Sequence, residues 1–423
     1  MTGYAVCADV GSTYTKAVVV DLTDGGLVAA ATHRTTVDTD VLHGLDAAVA
    51  AATAGLGAKN LPWYVCSSAG GGLRLAVVGY EQLVTAQAGH RVGLSAGARV
   101  VHVAAGRLDG AGLTALRAAR PDVVLLVGGT DGGDAEVLLH NATRLARARW
   151  RIPVVLAGNV DVRDPARELL VGRGVPVTVA DNVLPRIGVL NPISARSAIR
   201  EVFLRHVIGG KRLSRGRRFA GLVRAATPDA VLTGVELLAD HTSGDLAVVD
   251  IGGATTDVYS VLTPDERDSG PAREVAGMLW RARTVEGDLG LRWSAPGVVQ
   301  AAAAERLLAD GEQASLAERA TTRAADPAFI AADATEHETD LRIASLAATV
   351  ALRRHARGES SGVRAARDLR DVQLLIGAGG VLRHAEAADG VAVLQTVLTD
   401  HAGGWPLPRA ARPVIDVNHV LAA

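Results

Sequence analysis

Apolar residues in this chain come in short runs closed off by glycines and hydroxyl residues over the first half. Towards the end they give way to longer alanine-rich stretches with helical spacing. Tyr4–Ala8 and Ala17–Leu22 read as two strands around Asp9-Val-Gly-Ser-Thr-Tyr-Thr-Lys16. Leu246–Val249 and Val258–Leu262 bracket Asp250-Ile-Gly-Gly-Ala-Thr-Thr-Asp257 in the same way. Between them the pattern predicts a third strand over Leu27–Thr36, a helix over Leu42–Ala54, and strands over Trp63–Cys66 and Leu73–Gly79. A helix over Tyr80–Ala88 and a buried strand over Arg99–Ala104 follow.

From residue 121 strands and helices alternate with short loops. Asp122–Val127, Pro153–Ala157 and Val175–Val179 are strand-like, and Ala135–Ala148 and Asp164–Arg173 are helical. That alternation predicts a small doubly wound α/β unit. Asn191-Pro-Ile-Ser194 opens a helix with Ser194 as its N-cap and Ala198, Ile199, Val202, Phe203 and Val207 on one face. Residues 298–320 and 340–357 read as helices, with polar Thr335–Asp340 ahead of the second. The expected division is 1–120, an inserted α/β domain over 121–190, and 191–423. The insertion accounts for the long separation between Asp9 and Asp250.

The two bracketed turns carry the chemistry. An acid at a strand end, a Gly-rich turn with hydroxyls and a return strand describe a hairpin whose tip can hold phosphate. Glycine lets the backbone approach an anion, and N–H and hydroxyl groups donate to its oxygens. Aspartate at the strand end suits Mg²⁺ held through water. One such hairpin is ordinary turn chemistry; two, placed alike, predict two similar subdomains facing each other across a nucleotide cleft.

Composition narrows the field. A net charge of −1 gives no field to draw nucleic acid or acidic membrane, and 5 Trp, 5 Tyr and 3 Phe leave little for base stacking. No apolar run approaches a membrane span and no leader precedes the first strand, so the expectation is a soluble, cytoplasmic protein. Cys7 and Cys66 read as strand residues, not as a disulfide framework or zinc site. Among 44 basic residues only Lys16, Lys59 and Lys211 are lysines, so Lys16 at a hairpin end points to a site wanting a compact ammonium.

Two further loops stay open to either reading. Ser67–Gly72 is a nucleotide-approaching turn or a plain connection. Gly128-Gly-Thr-Asp-Gly-Gly-Asp134 lies at a strand's carboxyl end, where α/β sheets bind ligands, or is a turn capping its helix through Asp134. The basic run Lys211, Arg212, Arg215, Arg217, Arg218 and Arg224 is a solvated face or a surface for an acidic partner.

The paired hairpins, with Leu374-Leu-Ile-Gly-Ala-Gly-Gly-Val-Leu382 as an adenosine turn, resemble the actin, Hsp70 and sugar-kinase ATPase superfamily. Gly128-Gly-Thr-Asp-Gly-Gly133, Asn182–Pro192, the helix Ala195–Leu204 and Val285-Glu-Gly-Asp-Leu-Gly290 are, with the hairpins, similar to one branch, the glutamate-mutase-associated MutL (GlmL) family. The resemblance implies two actin-like (ribonuclease H-like) subdomains around an inserted α/β domain. It further implies an accessory ATPase that reactivates an adenosylcobalamin-dependent mutase or aminomutase, using ATP and Mg²⁺, with no nucleic acid or membrane partner and oligomers left open. Carried over by residue, Gly11, Ser12, Thr13 and Thr15 contact phosphates from one hairpin, and Gly252, Gly253, Thr255 and Thr256 from the other. Asp9 and Asp250 order the metal and its waters, Asp257 either supports the metal's contacts from behind or orients water, and Lys16 neutralises phosphate charge. Gly377, Gly379 and Gly380 pass the adenosine.

Three alternatives share the fold. A small-molecule kinase would need a cleft carboxylate such as Asp131, Glu286 or Asp288 as base. A nucleotide-binding scaffold would bind without turnover. An iron–sulfur activator would need interface thiolates, which Cys7 and Cys66 do not resemble.

Overall fold

The computed structural model describes residues 3–56, 60–69, 73–80, 88–89, 92–93, 98–208, 213–242, 244–263, 281–326, 328–357 and 367–422. The body of the helix expected over Tyr80–Ala88, residues 81–87, all three glycines of the Ser67–Gly72 turn, Lys59, Lys211 and Arg212 lie outside them. The described residues divide into two units, one over 3–234 with Ala422, the other over 235–263 and 281–421.

In the first unit, β1 (Tyr4–Val10), β2 (Tyr14–Asp21) and β3 (Leu27–Arg34) form an antiparallel meander. Strand β4 (Trp63–Ser67) joins β1 in parallel, and β10 (Val223–Ala226) joins β4 in parallel. The helix Val41–Thr53 covers one face; Asp40 caps it by accepting the Leu42 N–H at 2.9 Å. Its Val41, Leu45, Ala48, Val49 and Ala52 are buried in one core with Val6, Ala8, Val10, Ala17 and Val19. Those strand positions share one parity, as a half-buried sheet requires.

The second unit repeats that sheet. Strands β11 (Leu246–Ile251), β12 (Thr256–Val261) and β13 (Arg281–Glu286) make the meander, and β14 (Leu374–Ala378) and β15 (Arg412–Ile415) follow in parallel. The orders β3-β2-β1-β4-β10 and β13-β12-β11-β14-β15 are the same arrangement met twice. Here the cover is Ala295–Ala304, Glu312–Ala325 and the long helix Ala334–Ala356. Thr335–Asp340 lies inside that helix, because Asp333 caps it by accepting the Glu336 N–H at 2.9 Å. The run expected as one helix over 298–320 breaks before Gly311, whose φ of +81° no helix accommodates.

The third sheet is wholly parallel, in the order β6-β5-β7-β8-β9, built from β5 (Arg74–Gly79), β6 (Arg99–Ala105), β7 (Val123–Leu126), β8 (Val154–Leu156) and β9 (Val177–Val179). Alternate residues of β7 enter different cores, Val123 and Leu125 one, Val124 and Leu126 the other. Both faces are therefore buried, as in a doubly wound sheet.

Two boundaries expected from sequence are corrected. The parallel sheet begins at β5, upstream of residue 121, since an apolar run announces a strand but not its neighbours. Residues 191–234 belong to the first unit, because β10 completes its meander sheet. Ser194 is not the cap of its helix, which starts at Ile193; its hydroxyl accepts the Asp181 N–H at 3.0 Å.

Candidate functional site

Each meander sheet carries its glycine turn between its first two strands, and the two turns close identically. The Gly11 N–H donates to Tyr14 O at 3.1 Å, and the Gly252 N–H to Thr255 O at 2.9 Å. A Cβ on Gly11 would lie 2.7 Å from Tyr14 O, and one on Gly252 2.9 Å from Thr255 O, so both turns exclude a side chain there. Asp9 pairs with Lys16 across one hairpin, and Asp250 with Asp257 across the other.

In the first unit Asp9 is only 5% exposed. Lys16 Nζ lies 3.7 Å from its Oδ2, while the Thr227 hydroxyl donates to Oδ1 at 2.5 Å. The Cys66 thiol also donates to Oδ1, at 3.6 Å. Burial first, and then the Asp9 carboxylate, push that thiol well above its ordinary pKa, so it stays protonated beside the acid. The β4 end reaches the same hairpin: Ser68 N–H and Ala69 N–H donate to Val10 O at 3.0 and 3.1 Å. Ser12 is exposed and Gly11 and Thr13 are half-buried at the tip.

Thr15 departs from expectation. Expected to contact phosphate, it is 0% exposed and shares a 2.9 Å hydrogen bond with the Thr35 hydroxyl. Thr256 repeats this, 0% exposed with its hydroxyl donating to Leu289 O at 2.5 Å. Both occupy the parity that faces the covering helices, the row of Ala17 and Val19 in one sheet and of Val258 and Ser260 in the other. Both hydroxyls are hydrogen-bonded inside their own unit, and strand parity sets them apart from the tip residues.

The second hairpin is clamped from one side by the segment that follows β13. Leu291 N–H donates to Gly252 O at 3.0 Å, Arg292 and Trp293 N–H to Gly253 O at 2.8 and 3.0 Å, and the Ser294 hydroxyl to Ala254 O at 2.8 Å. A Cβ on Gly290 would stand 2.4 Å from the Ala254 carbonyl carbon, which explains the glycine. Glu286 at the end of β13 and Asp288 in that segment are paired with Arg354 at 2.8 Å. Asp257 is paired as well: Arg283 donates to its Oδ1 from Nε at 3.0 Å, and the Thr255 hydroxyl donates to Oδ2 at 3.2 Å. Sequence reading missed Arg283, Thr227 and Ser294. Only Thr227 carried a local signal, a strand end followed by Thr-Pro, the mark of a helix start.

The glycines of β14 divide. Gly377 lies in the strand, where a Cβ would strike Leu382, Ile415 and Leu394 at 2.7–3.2 Å, so close packing by itself accounts for a glycine there. Gly379 has φ +108° and backs onto the end of β11, a Cβ there falling 2.2 Å from Ile251 O. Gly380 is exposed beside it. In the parallel sheet, the Gly128–Asp134 loop is consumed internally: Asp131 Oδ1 accepts the Val160 N–H at 3.0 Å and Asn182 Nδ2 at 2.8 Å. Asp134 Oδ1 accepts the Val137 N–H at 3.4 Å, in keeping with the structural reading of that loop.

Asp9, Asp250 and the hydroxyl of Thr255 are hard oxygen donors of the class Mg²⁺ takes. Turn backbone at Gly11–Thr13, exposed at Ser12, and half-buried turn backbone at Gly252–Ala254 is of the kind that binds phosphate. No helix among the described residues is long and apolar enough to cross a membrane.

Comparison with known proteins gives one near match and several distant ones. The family model for MutL protein matches residues 5–423. Protein MutL of Clostridium tetanomorphum is 35% identical over 437 residues, covering 98% of this chain and 94% of that protein. Among solved structures, the ethanolamine utilization protein EutJ from Carboxydothermus hydrogenoformans aligns with 99% of this chain and 86% of its own at 11% identity and TM-score 0.31. A nucleotide-free acetone carboxylase aligns with 69% of this chain at 17% identity and TM-score 0.35, and the aligned part is 49% of that chain.

Proposed function

We propose, from the premise that this chain belongs to the MutL protein family, that it is a Mg²⁺-dependent ATPase serving an adenosylcobalamin-dependent mutase or aminomutase. Its task there is that of an accessory, reactivating factor. The observation that carries the nucleotide part is the duplication: one sheet order, one turn closed by the same hydrogen bond, and one strand-end carboxylate, each found twice. Ser12, Thr13 and the first turn's backbone, and Gly253 and the second turn's, would donate to phosphate oxygens; Asp9 in the first unit and Asp250 in the second are the acids that would hold Mg²⁺ through water, and Lys16 would add positive charge beside Asp9. The metal supplies charge neutralisation on the phosphates.

The kinase reading gains no support, since Glu286 and Asp288 are engaged by Arg354 and Asp131 ties three loops together. The test is phosphate release by the purified protein, alone and with the cognate mutase. Turnover that rises with the mutase and disappears in Asp250→Asn, with the circular dichroism of that variant unchanged, supports the assignment. Full turnover in Asp250→Asn contradicts the metal role. Binding without turnover in either condition replaces the ATPase with a scaffold.

A further inference from the structure

Asp250 and Asp257 stand directly opposite each other on β11 and β12. Like charges in that arrangement cost free energy unless a cation answers them. The first hairpin places Lys16 at the equivalent position. In the second, the answer comes from the third strand of the meander. Arg283 is 3% exposed, donates to Asp257 Oδ1 through Nε at 3.0 Å and Nη2 at 2.5 Å, and lies over the Tyr259 ring at 5.6 Å. Burial is the largest influence and works against its charge, but the Asp257 carboxylate and Tyr259 together outweigh it and raise its pKa.

Oxygen Oδ1 of Asp257 is thereby engaged, and Oδ2 accepts the Thr255 hydroxyl at 3.2 Å. A hydroxyl has one proton and two lone pairs. Once the proton goes to a carboxylate, the oxygen can meet a ligand only with a lone pair. A phosphate oxygen is an acceptor too, so it is not what Thr255 Oγ can greet; a cation, or a water polarised by one, is.

We propose that Arg283 is a positioning residue of this hairpin, acting through Asp257 to turn Thr255 Oγ into an acceptor directed at Mg²⁺ or its coordinated water. Thr255 then binds the metal side of a Mg·nucleotide complex and not its phosphate. Of the two roles expected for Asp257, this takes the one behind the metal's contacts: it orients a side chain and not water. The inference rests on the nucleotide reading above.

The experiment is calorimetric titration of ADP into the full-length protein, with Mg²⁺ and with EDTA, so the readout is binding and not turnover. The quantity of interest is the ratio of the two affinities, a coupling between metal and nucleotide. In Thr255→Val that ratio falls by about tenfold while the affinity in EDTA stays within about twofold; Thr255→Ser restores it. Arg283→Met lowers the ratio similarly, and combining it with Thr255→Val adds nothing, because the two act in one chain. Should Arg283→Met fail to fold, Asp257→Asn carries the same expectation. Its amide donates to Thr255 Oγ and frees the hydroxyl proton. Equal losses with and without Mg²⁺ in Thr255→Val would make Thr255 a phosphate donor and overturn the proposal, as would additive losses in the double variant. If the unaltered protein binds no ADP in either condition, the nucleotide reading fails first and takes this inference with it.

Discussion

Replacing Thr256 by valine separates a structural hydroxyl from a ligand-binding one. The side chain is fully buried and its hydroxyl donates at 2.5 Å to the carbonyl of Leu289, which lies two residues before the first backbone donor that clamps the second hairpin. Valine keeps the shape, so no cavity opens, but it leaves a buried carbonyl without its donor. That loss costs roughly 1–3 kcal/mol. For a unit of this size about 2 kcal/mol lowers the melting temperature by ~4–8 °C. Nucleotide stabilisation, in contrast, depends on affinity as RT ln(1 + [L]/Kd), about 2.7 kcal/mol at a hundredfold excess over Kd. The assay is therefore melting of wild type and Thr256→Val, each with and without saturating Mg·ADP. The expected result is a lower melting point in both conditions with the ligand-induced increment preserved. An unchanged melting point without ligand, together with a lost increment, would put Thr256 on phosphate and refute the assignment.

Other perturbations bear on the same frame. Gly379→Ala places a Cβ 2.2 Å from Ile251 O at a φ of +108°, a region that is nearly glycine's alone. Backbone strain of order 1–3 kcal/mol is expected before the overlap is counted, and denaturant unfolding of the variant within error of wild type would contradict it. Glu312 has its pKa lowered first by its hydrogen bonds to Arg342 and then by the Ala309 N–H, against some desolvation. A lowered folded-state pKa stabilises above the unfolded value and is lost as pH falls through the folded one. Wild type and Glu312→Gln should therefore differ at neutral pH, by less than about 1 kcal/mol because solvent screens the pair. The two should converge in acid unfolding below the normal carboxylate pKa; a gap that widens on acidification would reverse the sign.

The chain's own order of residues determined a good deal here. Two acid-glycine-hydroxyl turns at strand ends, a parallel α/β stretch between them and a third glycine turn near the end were legible, because each is a local pattern whose physics acts within a few residues. So were the alanine-rich helices, save where Asp333 and Gly311 shift their limits. Tertiary structure alone decided the partners. Whether β5 and β6 belong with the meander or the parallel sheet depends on pairing across long separations, and an apolar run reads the same in either. Thr227 reaches Asp9 from 218 positions away, and Arg283 reaches Asp257 from the third strand of its sheet. Four threonines in two turns look alike as letters; parity, burial and the neighbouring strand give Thr15 and Thr256 to the core and aim Thr255 at Asp257. A hydroxyl's role is set by which acceptor takes its single proton, and that acceptor is brought near only when the chain has folded.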